Sequence, residues 1–460
     1  MPSNVSGTLT SSPWLRRVLH RVYHTGTRIN HFARRRLRPA GIGLFVVGIV
    51  LICFAGSRAD STLFLLFSFS FSLGALSLAW LPFRKATLRI HREVPQHATA
   101  GETVKIRYHV ENLSQRRIRN AWLVETPPDP RPTRQQFLQA HEPGEEQRNA
   151  FDRTFSYYCW NWLCEKQLAF DAFPTLQSLD LQEKSHQTLT AELVPRRRGL
   201  IHLNDLRLIL PDPLGLFQRC RPLAPQASTL AVLPRRYRLP SFQLPGAARF
   251  QPGGDAETHN NGPSGEFVGL RDYQPGDPLR LIHWQSWART GKPVTKELED
   301  TYFPRHGLIL DTTPAEMDQD LFEEAVSVAA SFVSSIDTQE CLIELMFISG
   351  QERVITAGRG TGNVESLLEV LAGVETSEKT EAESLRNLVL RHAEDLAGCL
   401  AVIAGWSENR RELIESLSLS GIEIAALVVC RELPAERPPG VYFVRSSHLA
   451  ADLMSLPSNL

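Results

Sequence analysis

The sequence predicts a multidomain α+β membrane protein with an N-terminal two-helix transmembrane hairpin, a β-sandwich-like domain, and a C-terminal doubly wound α/β domain. Three observations predict it. Two charge-free apolar runs lie near the N-terminus, a long stretch of period-two alternation follows, and short strands then alternate with amphipathic helices to the end.

At 460 residues the chain has room for about two to three domains. Its 42% apolar and 22% charged residues are those of an ordered chain. The 50 basic and 50 acidic residues cancel, but unevenly. Residues 1–60 hold nine Arg, no Lys and one acid, Asp60, a formal +8, so the remainder carries −8. A remainder of that sign is not the charge of a nucleic-acid binder, and none is expected as a partner.

The basic segment 1–38 precedes a hairpin assigned to 39–83. Pro39 to Ser57 and Ser61 to Phe83 contain no charged residue, with Arg58 and Asp60 in the gap between them. About 20 apolar helical residues cross a bilayer, so both runs are long enough, the first only just. Gly41, Gly43, Gly48 and Gly74, with Ser68, Ser70 and Ser72, allow close helix approach. Trp80 suits the interface. A cleaved signal peptide is a poor fit, because 38 residues precede the first run and a longer run follows it. The arginines before the hairpin, and Arg84, Lys85 and Arg89 after it, place both termini in the cytoplasm of an inner-membrane protein. Seven scattered cysteines agree with a reducing compartment, and Cys159 and Cys164 lack the neighbouring His of a zinc site.

Residues 84–240 read as strands. Val104, Ile106, Tyr108 and Val110 alternate, as do Ile201 with Leu203 and Leu206 with Leu208 and Leu210. Short strands at this spacing suggest a two-sheet sandwich. Thr126 to Arg148, rich in Pro and Gln, reads as a long exposed loop. Arg196, Arg197 and Arg198 read as a solvated turn that faces the anionic leaflet.

The densest chemistry lies in 241–304. Asp277, His283 and Glu297 are candidate metal ligands or an acid/base set, the basis of an alternative reading as a membrane-tethered metal-dependent hydrolase or nuclease, yet no two have the i, i+4 spacing of a helical ligand pair. The competing reading is a network of Arg/Asp pairs that fixes an irregular segment, or an interaction surface.

From 305 to 460 an α/β domain is expected. His306 to Asp311, Cys341 to Ile348, Val354 to Ala357, Cys399 to Ala404 and Ile422 to Val429 read as strands. Leu321 to Ile336, a face through Leu385, Leu388 and Val389, Glu408 to Leu417 and His448 to Leu456 read as helices. In such a sheet ligands bind beyond the carboxyl ends of strands, which directs attention to Asp311. Gly358-Arg359-Gly360-Thr361-Gly362 lacks the lysine of a phosphate loop and reads as a turn.

The segment Gly265-Glu266-Phe267, Gly269-Leu270-Arg271, Tyr273, Pro275-Gly276-Asp277, Arg280, Ile282-His283-Trp284, Ala288-Arg289 and Lys296-Glu297 resembles the signature of the domain-of-unknown-function 58 family. Asp212-Pro213-Leu214-Gly215-Leu216-Phe217 is similar to the D-P-F-G-L-F element that precedes that signature, with Leu214 in the Phe place. The resemblance implies two membrane spans, a strand-rich segment and a von Willebrand factor type A-like domain. Such domains often hold Mg²⁺ through D-x-S-x-S. Here Asp311 and Thr313 match but Ala315 does not, and Gly405-Trp406-Ser407-Glu408 lacks the later Asp, so the site is degenerate and no metal or other cofactor is expected. The hairpin, the absence of a complete catalytic set and the resemblance together predict a non-enzymatic adaptor in envelope-related assembly; the resemblance implies a MoxR-type AAA+ ATPase as its partner, beside a transglutaminase-like membrane protein. Gly265, Glu266, Gly269, Arg271, Tyr273, Gly276, Asp277, Arg280, His283, Trp284 and Arg289 are the candidate interaction residues, with no catalytic residue assigned.

Overall fold

Pro13, with its φ already near the helical value, opens a basic helix that runs to Arg36. The computed structural model describes residues 13–55, 61–126, 128–170, 178–223, 227–246, 266–299, 304–313, 318–336, 341–358, 364–376 and 382–458. Residues 1–12, the gap holding Arg58 and Asp60, Gly265, Ala315 and 359–362 lie outside them. The chain divides into two compact units, one ending at Leu233 and the other beginning at Pro234.

In the first unit, Leu15, Leu19 and Tyr23 on one face of Pro13–Arg36 pack against buried Phe137, Trp160 and Leu163. These belong to helices Arg134–Gln139 and Tyr157–Lys166. The expected exposed loop from Thr126 to Arg148 is therefore corrected. Thr133 and Gln136 form a reciprocal capping box that starts a helix inside it, and Phe137, fully buried, pins that helix down. Arg16 donates to the Leu138 and Ala140 carbonyls at 3.3 and 3.2 Å, satisfying the end of that helix.

Two apolar helices follow, Pro39–Ala55 and Ser61–Trp80, and they pack on each other. Among the described residues one helix, Thr62–Phe83, is long and apolar enough to cross a membrane. Pro39–Ala55, at 17 residues, rises only about 26 Å against a core of about 30 Å, so the expectation that both runs are long enough to span is corrected to one helix of spanning length and a shorter apolar partner. The outer faces, including Phe45, Val46, Ile49, Phe64, Leu65 and Phe69, are exposed.

The strands beyond alternate as expected. Leu88–Glu93, Val104–Asn112 and His186–Leu193 form one antiparallel sheet. Leu179–Leu181, Ile118–Glu125, Leu206–Pro211 and Gln218–Pro222 form a second, and His97–Thr99, Ser228–Leu233 and Gly199–Leu203 a third. Ile106, Tyr108, Ala121, Leu123, Leu203, Leu208 and Leu230 point from all three into one shared core. That core also holds an ion pair. Arg92 donates to both Glu125 oxygens at 2.8 and 2.9 Å and to the Leu203 carbonyl, and the Tyr108 hydroxyl donates to Glu125 at 3.1 Å.

In the second unit, Glu266–Asp272 pairs antiparallel with Val294–Glu299. The strands Arg305–Leu310, Leu342–Ile348, Glu352–Ala357, Gly398–Ala404, Glu423–Cys430 and Val441–Arg445, counted one to six, lie in the order 3-2-1-4-5-6. All neighbours are parallel except the third strand. The sixth was not expected; it is a short edge strand behind a Pro-rich segment. Cys399, Ala401 and Ile403 bury one face with Leu385, Leu388 and Val389 of helix Ala382–His392 and with Leu413 and Leu417 of helix Glu408–Leu419. Leu400 and Val402 bury the other, where helix Gln319–Ser335 packs. Helices on both faces make this the doubly wound arrangement.

His306 is the second residue of the first strand, 4% exposed, its Nδ1 without a hydrogen-bond partner among the described residues. Burial pushes its pKa below the ordinary 6.5, outweighing the opposite pull of its hydrogen bond to Pro245. As pH falls below 6.5, the unfolded chain binds a proton that the folded chain does not, so stability is lost on acidification. Urea titrations of the α/β unit in the full chain should show a loss of midpoint between neutral pH and pH about 5 that shrinks in His306→Asn. An unchanged pH profile in that variant would assign the acid sensitivity elsewhere.

Candidate functional site

The signature segment is a strand pair closed by a structured connection. A bulge between Phe267 and Gly269 shifts the register, so that Gly269 pairs with Glu297 and Arg271 with Thr295. The chain then turns at Gly276, whose φ of +114° suits glycine. Asp277 fastens that turn. It accepts from Arg271 at 2.7 and 2.9 Å, from the Gln274 N–H at 2.9 Å, and from the Thr295 hydroxyl at 3.5 Å. The Arg271 guanidinium, with lesser help from Gln274, holds the Asp277 carboxyl below its ordinary range.

His283 is the N-cap of helix Trp284–Thr290, its Nδ1 accepting from the Ser286 N–H at 3.2 Å and lying 2.7 Å from the Ser286 hydroxyl. Gly291 ends the helix in the left-handed conformation, with Arg289 in its last turn. The Tyr273 N–H donates to Pro293 at 3.0 Å. Arg280 lies exposed in the 3-10 turn Leu279–Leu281, and Glu266 begins the first strand. Ile282 and Thr295 are buried beneath, 4% and 1% exposed. Above them Phe267, Leu270, Leu279 and Trp284 are exposed, with Trp284 stacked on Trp287 at 5.3 Å between ring centroids.

Of the hydrolase set, Asp277 is paired with Arg271 and His283 binds Ser286 through Nδ1. Glu297 sits on the second strand, across from Gly269. Among the described residues no three His, Cys, Asp or Glu side chains come together to hold a metal ion. Cys159 and Cys164 share helix Tyr157–Lys166, and burial pushes both thiols up to about 11, away from thiolate chemistry.

At the switch point, Asp311 is 4% exposed and its Oδ2 accepts from Arg410 Nε at 2.6 Å. Its Oδ1 accepts from the Thr313 N–H at 2.9 Å, while the Thr312 hydroxyl donates to the Ile348 carbonyl at 2.6 Å. A buried guanidinium thus already supplies the positive charge that a cation would bring, and the donors present do not fit an added divalent ion. Arg410 escaped the sequence reading. Its signal is position: it lies one turn before Leu413 and Ile414 and two before Leu417, on the inward face of its helix.

The Asp212 to Phe217 element has a structural task. Asp212 accepts from the Leu214 and Phe217 N–H groups at 3.1 and 2.9 Å and from the Ser77 hydroxyl of the second apolar helix. Leu216 accepts from the Arg38 N–H at 3.1 Å, just before the first apolar helix. A Cβ on Gly41 would fall on the Leu216 carbonyl, which is why that position has no side chain. The turn therefore ties the strand-rich core to the ends of both apolar helices.

A family profile described as Protein of unknown function DUF58 matches residues 269–424, from the signature hairpin to the fifth sheet strand. The chain is 29% identical over 192 residues to the Uncharacterized protein YeaD of Bacillus subtilis (strain 168). That match covers 41% of this chain and 46% of YeaD, so the chain spans under half the length of that relative. Among solved structures, a CARDB domain from Pyrococcus furiosus is 8% identical at a TM-score of 0.16, over 30% of this chain and 93% of that one. A GH20 exo-β-N-acetylglucosaminidase from Vibrio harveyi is 9% identical at a TM-score of 0.16, over 75% of this chain and 57% of that one. Likenesses this low say nothing about fold or chemistry.

Proposed function

We propose that this chain is a non-enzymatic membrane adaptor of the domain-of-unknown-function 58 type, which presents the signature hairpin to a protein partner. The observation that carries the reading is the contrast within that hairpin. Arg271, Asp277 and His283 are spent on internal bonds, while Phe267, Leu270, Leu279 and Trp284 remain exposed. Exposed aromatic and aliphatic anchors beside arginine are what protein interfaces select. By resemblance, the partner is a MoxR-type AAA+ ATPase engaged in envelope-related assembly, with a transglutaminase-like membrane protein nearby.

In this reading Pro39–Ala55 and Ser61–Trp80 form a hairpin in the inner membrane, both termini cytoplasmic. Their mutual packing and exposed apolar outer faces support it, as does the arginine-rich flank. The strand order 3-2-1-4-5-6, with Asp311 at the carboxyl end of the first strand, supports a von Willebrand factor type A-like second unit whose cation position is taken by Arg410.

Crosslinking in native membranes, followed by mass spectrometry, tests the adaptor role. Residues 266–299 should crosslink to an AAA+ ATPase, and Trp284→Ala with Phe267→Ala should cut that yield by about tenfold or more. Arg271→Ala should weaken it as well, by loosening the turn that Asp277 holds. Recovery of no ATPase or envelope protein at this hairpin, or full crosslinking by the double variant, would sink the reading.

A further inference from the structure

The helix Pro13–Arg36 has two faces, and the fold uses one of them. Leu15, Leu19 and Tyr23 are spent on Phe137 and Trp160. On the rest of the surface Trp14, Val22, Ile29 and Phe32 are 67%, 56%, 62% and 57% exposed. Their spacing of eight, seven and three residues lines them along one side of the helix. Arg21, Arg28 and Arg36 are exposed among them, and Arg36 covers the Phe32 ring at 4.4 Å. The helix contains seven arginines and no acidic residue. It ends only two residues before the apolar helix that starts at Pro39.

We propose that this face of Pro13–Arg36 lies in the membrane interface, with Trp14, Val22, Ile29 and Phe32 at the acyl boundary and Arg21, Arg28 and Arg36 on the phosphates of anionic lipids. The proposal rests on the hairpin reading above and goes further, in that it assigns a lipid-recognising surface outside the hairpin. Apolar residues interleaved with arginine on one face of a helix are the pattern of an interfacial helix. Arginine also outlasts lysine as a phosphate partner because its fork matches two oxygens. A nucleic acid would satisfy the arginines but would leave the four apolar side chains in water, so the mixed face favours lipid. The short connection to Pro39 holds this helix near the bilayer surface, which lowers the cost of bringing it there.

The test uses the full chain reconstituted into vesicles of phosphatidylcholine alone or with about one third phosphatidylglycerol. Ile29→Cys is treated with a membrane-impermeant maleimide and its labelling measured by peptide mass. Lys105→Cys, on an exposed strand position, serves as the control. The expected result is that Ile29→Cys labels about tenfold more slowly in the anionic vesicles, while Lys105→Cys labels alike in both. Reversal of charge in Arg21→Glu/Arg28→Glu/Arg36→Glu restores the faster rate. Equal labelling of Ile29→Cys in both vesicles, in a chain that resists extraction by alkaline carbonate, overturns this proposal and leaves the hairpin standing. Extraction of the chain by carbonate overturns both. Slower labelling in phosphatidylcholine vesicles on addition of single-stranded RNA, with no effect of phosphatidylglycerol, would overturn it in favour of a nucleic acid.

Discussion

Glu125→Ala should lower the stability of the strand-rich unit by about 3–5 kcal/mol, because it strands Arg92 as an uncompensated charge in the shared core. The Arg92 and Glu125 side chains are 0% and 3% exposed. Arg92 reaches both carboxylate oxygens and the Leu203 carbonyl, so three of its bonds cross between sheets, and Tyr108 closes the network from a fourth strand. Burial, reinforced by the Glu125 charge, holds the Tyr108 phenol protonated well above its ordinary value. The opposite expectation for a double change sharpens the test. Arg92→Met/Glu125→Leu removes both charges and should cost much less than Glu125→Ala, since buried pairs exchange for apolar groups at little or no loss. Denaturant midpoints of the full chain in detergent, read by protease resistance within 88–233, separate the two outcomes. Equal losses for single and double variants would show that packing volume, and not unpaired charge, sets the effect.

Arg410→Ala should cost the α/β unit a similar amount, about 3–5 kcal/mol, by leaving Asp311 buried without its partner. The two side chains are 8% and 5% exposed, and the bond between them joins the carboxyl end of the first strand to the first turn of helix Glu408–Leu419. Asp311→Asn keeps the Thr313 contact and should cost less. In a double-mutant cycle with Asp311→Ala and Arg410→Ala, the combined loss should fall short of the sum by about 0.5–3 kcal/mol. Additive losses would mean the pair does not couple, and the helix would then be held by Leu413, Ile414 and Leu417 alone.

These two pairs mark where sequence reasoning stops. Arg92 follows Leu88 and Ile90 at period two, and Glu125 follows Ala121 and Leu123 on the same pattern, so each charge sits at an inward position legible from its own strand. What no local pattern carries is that the two meet across 33 residues. Arg410 repeats the lesson on a helix, and its partner is 99 residues away. The signature segment divides in the same manner. Its density of Arg and Asp predicted a polar network, and the Arg271 to Asp277 bond is one, but the same letters also left a catalytic set open. Distances and caps gave Asp277 and His283 their present partners. Thr126 to Arg148 was misread because its Pro and Gln content outweighed a capping box of two residues, Thr133 and Gln136, whose worth depends on the pocket that receives Phe137.

The sequence by itself determined the order of parts: a basic segment, two apolar helices, a strand-rich stretch and an alternating α/β tail. Those follow from periodicity and charge exclusion, which are local and additive along a chain. The tertiary structure alone decided which charges are buried against each other, which signature side chains face outward, and that the Asp212 turn grips both apolar helices through Ser77 and Leu216. The reason is physical. Burial energy and Coulomb attraction depend on which segments come within a few ångströms, and chain spacing does not encode that distance.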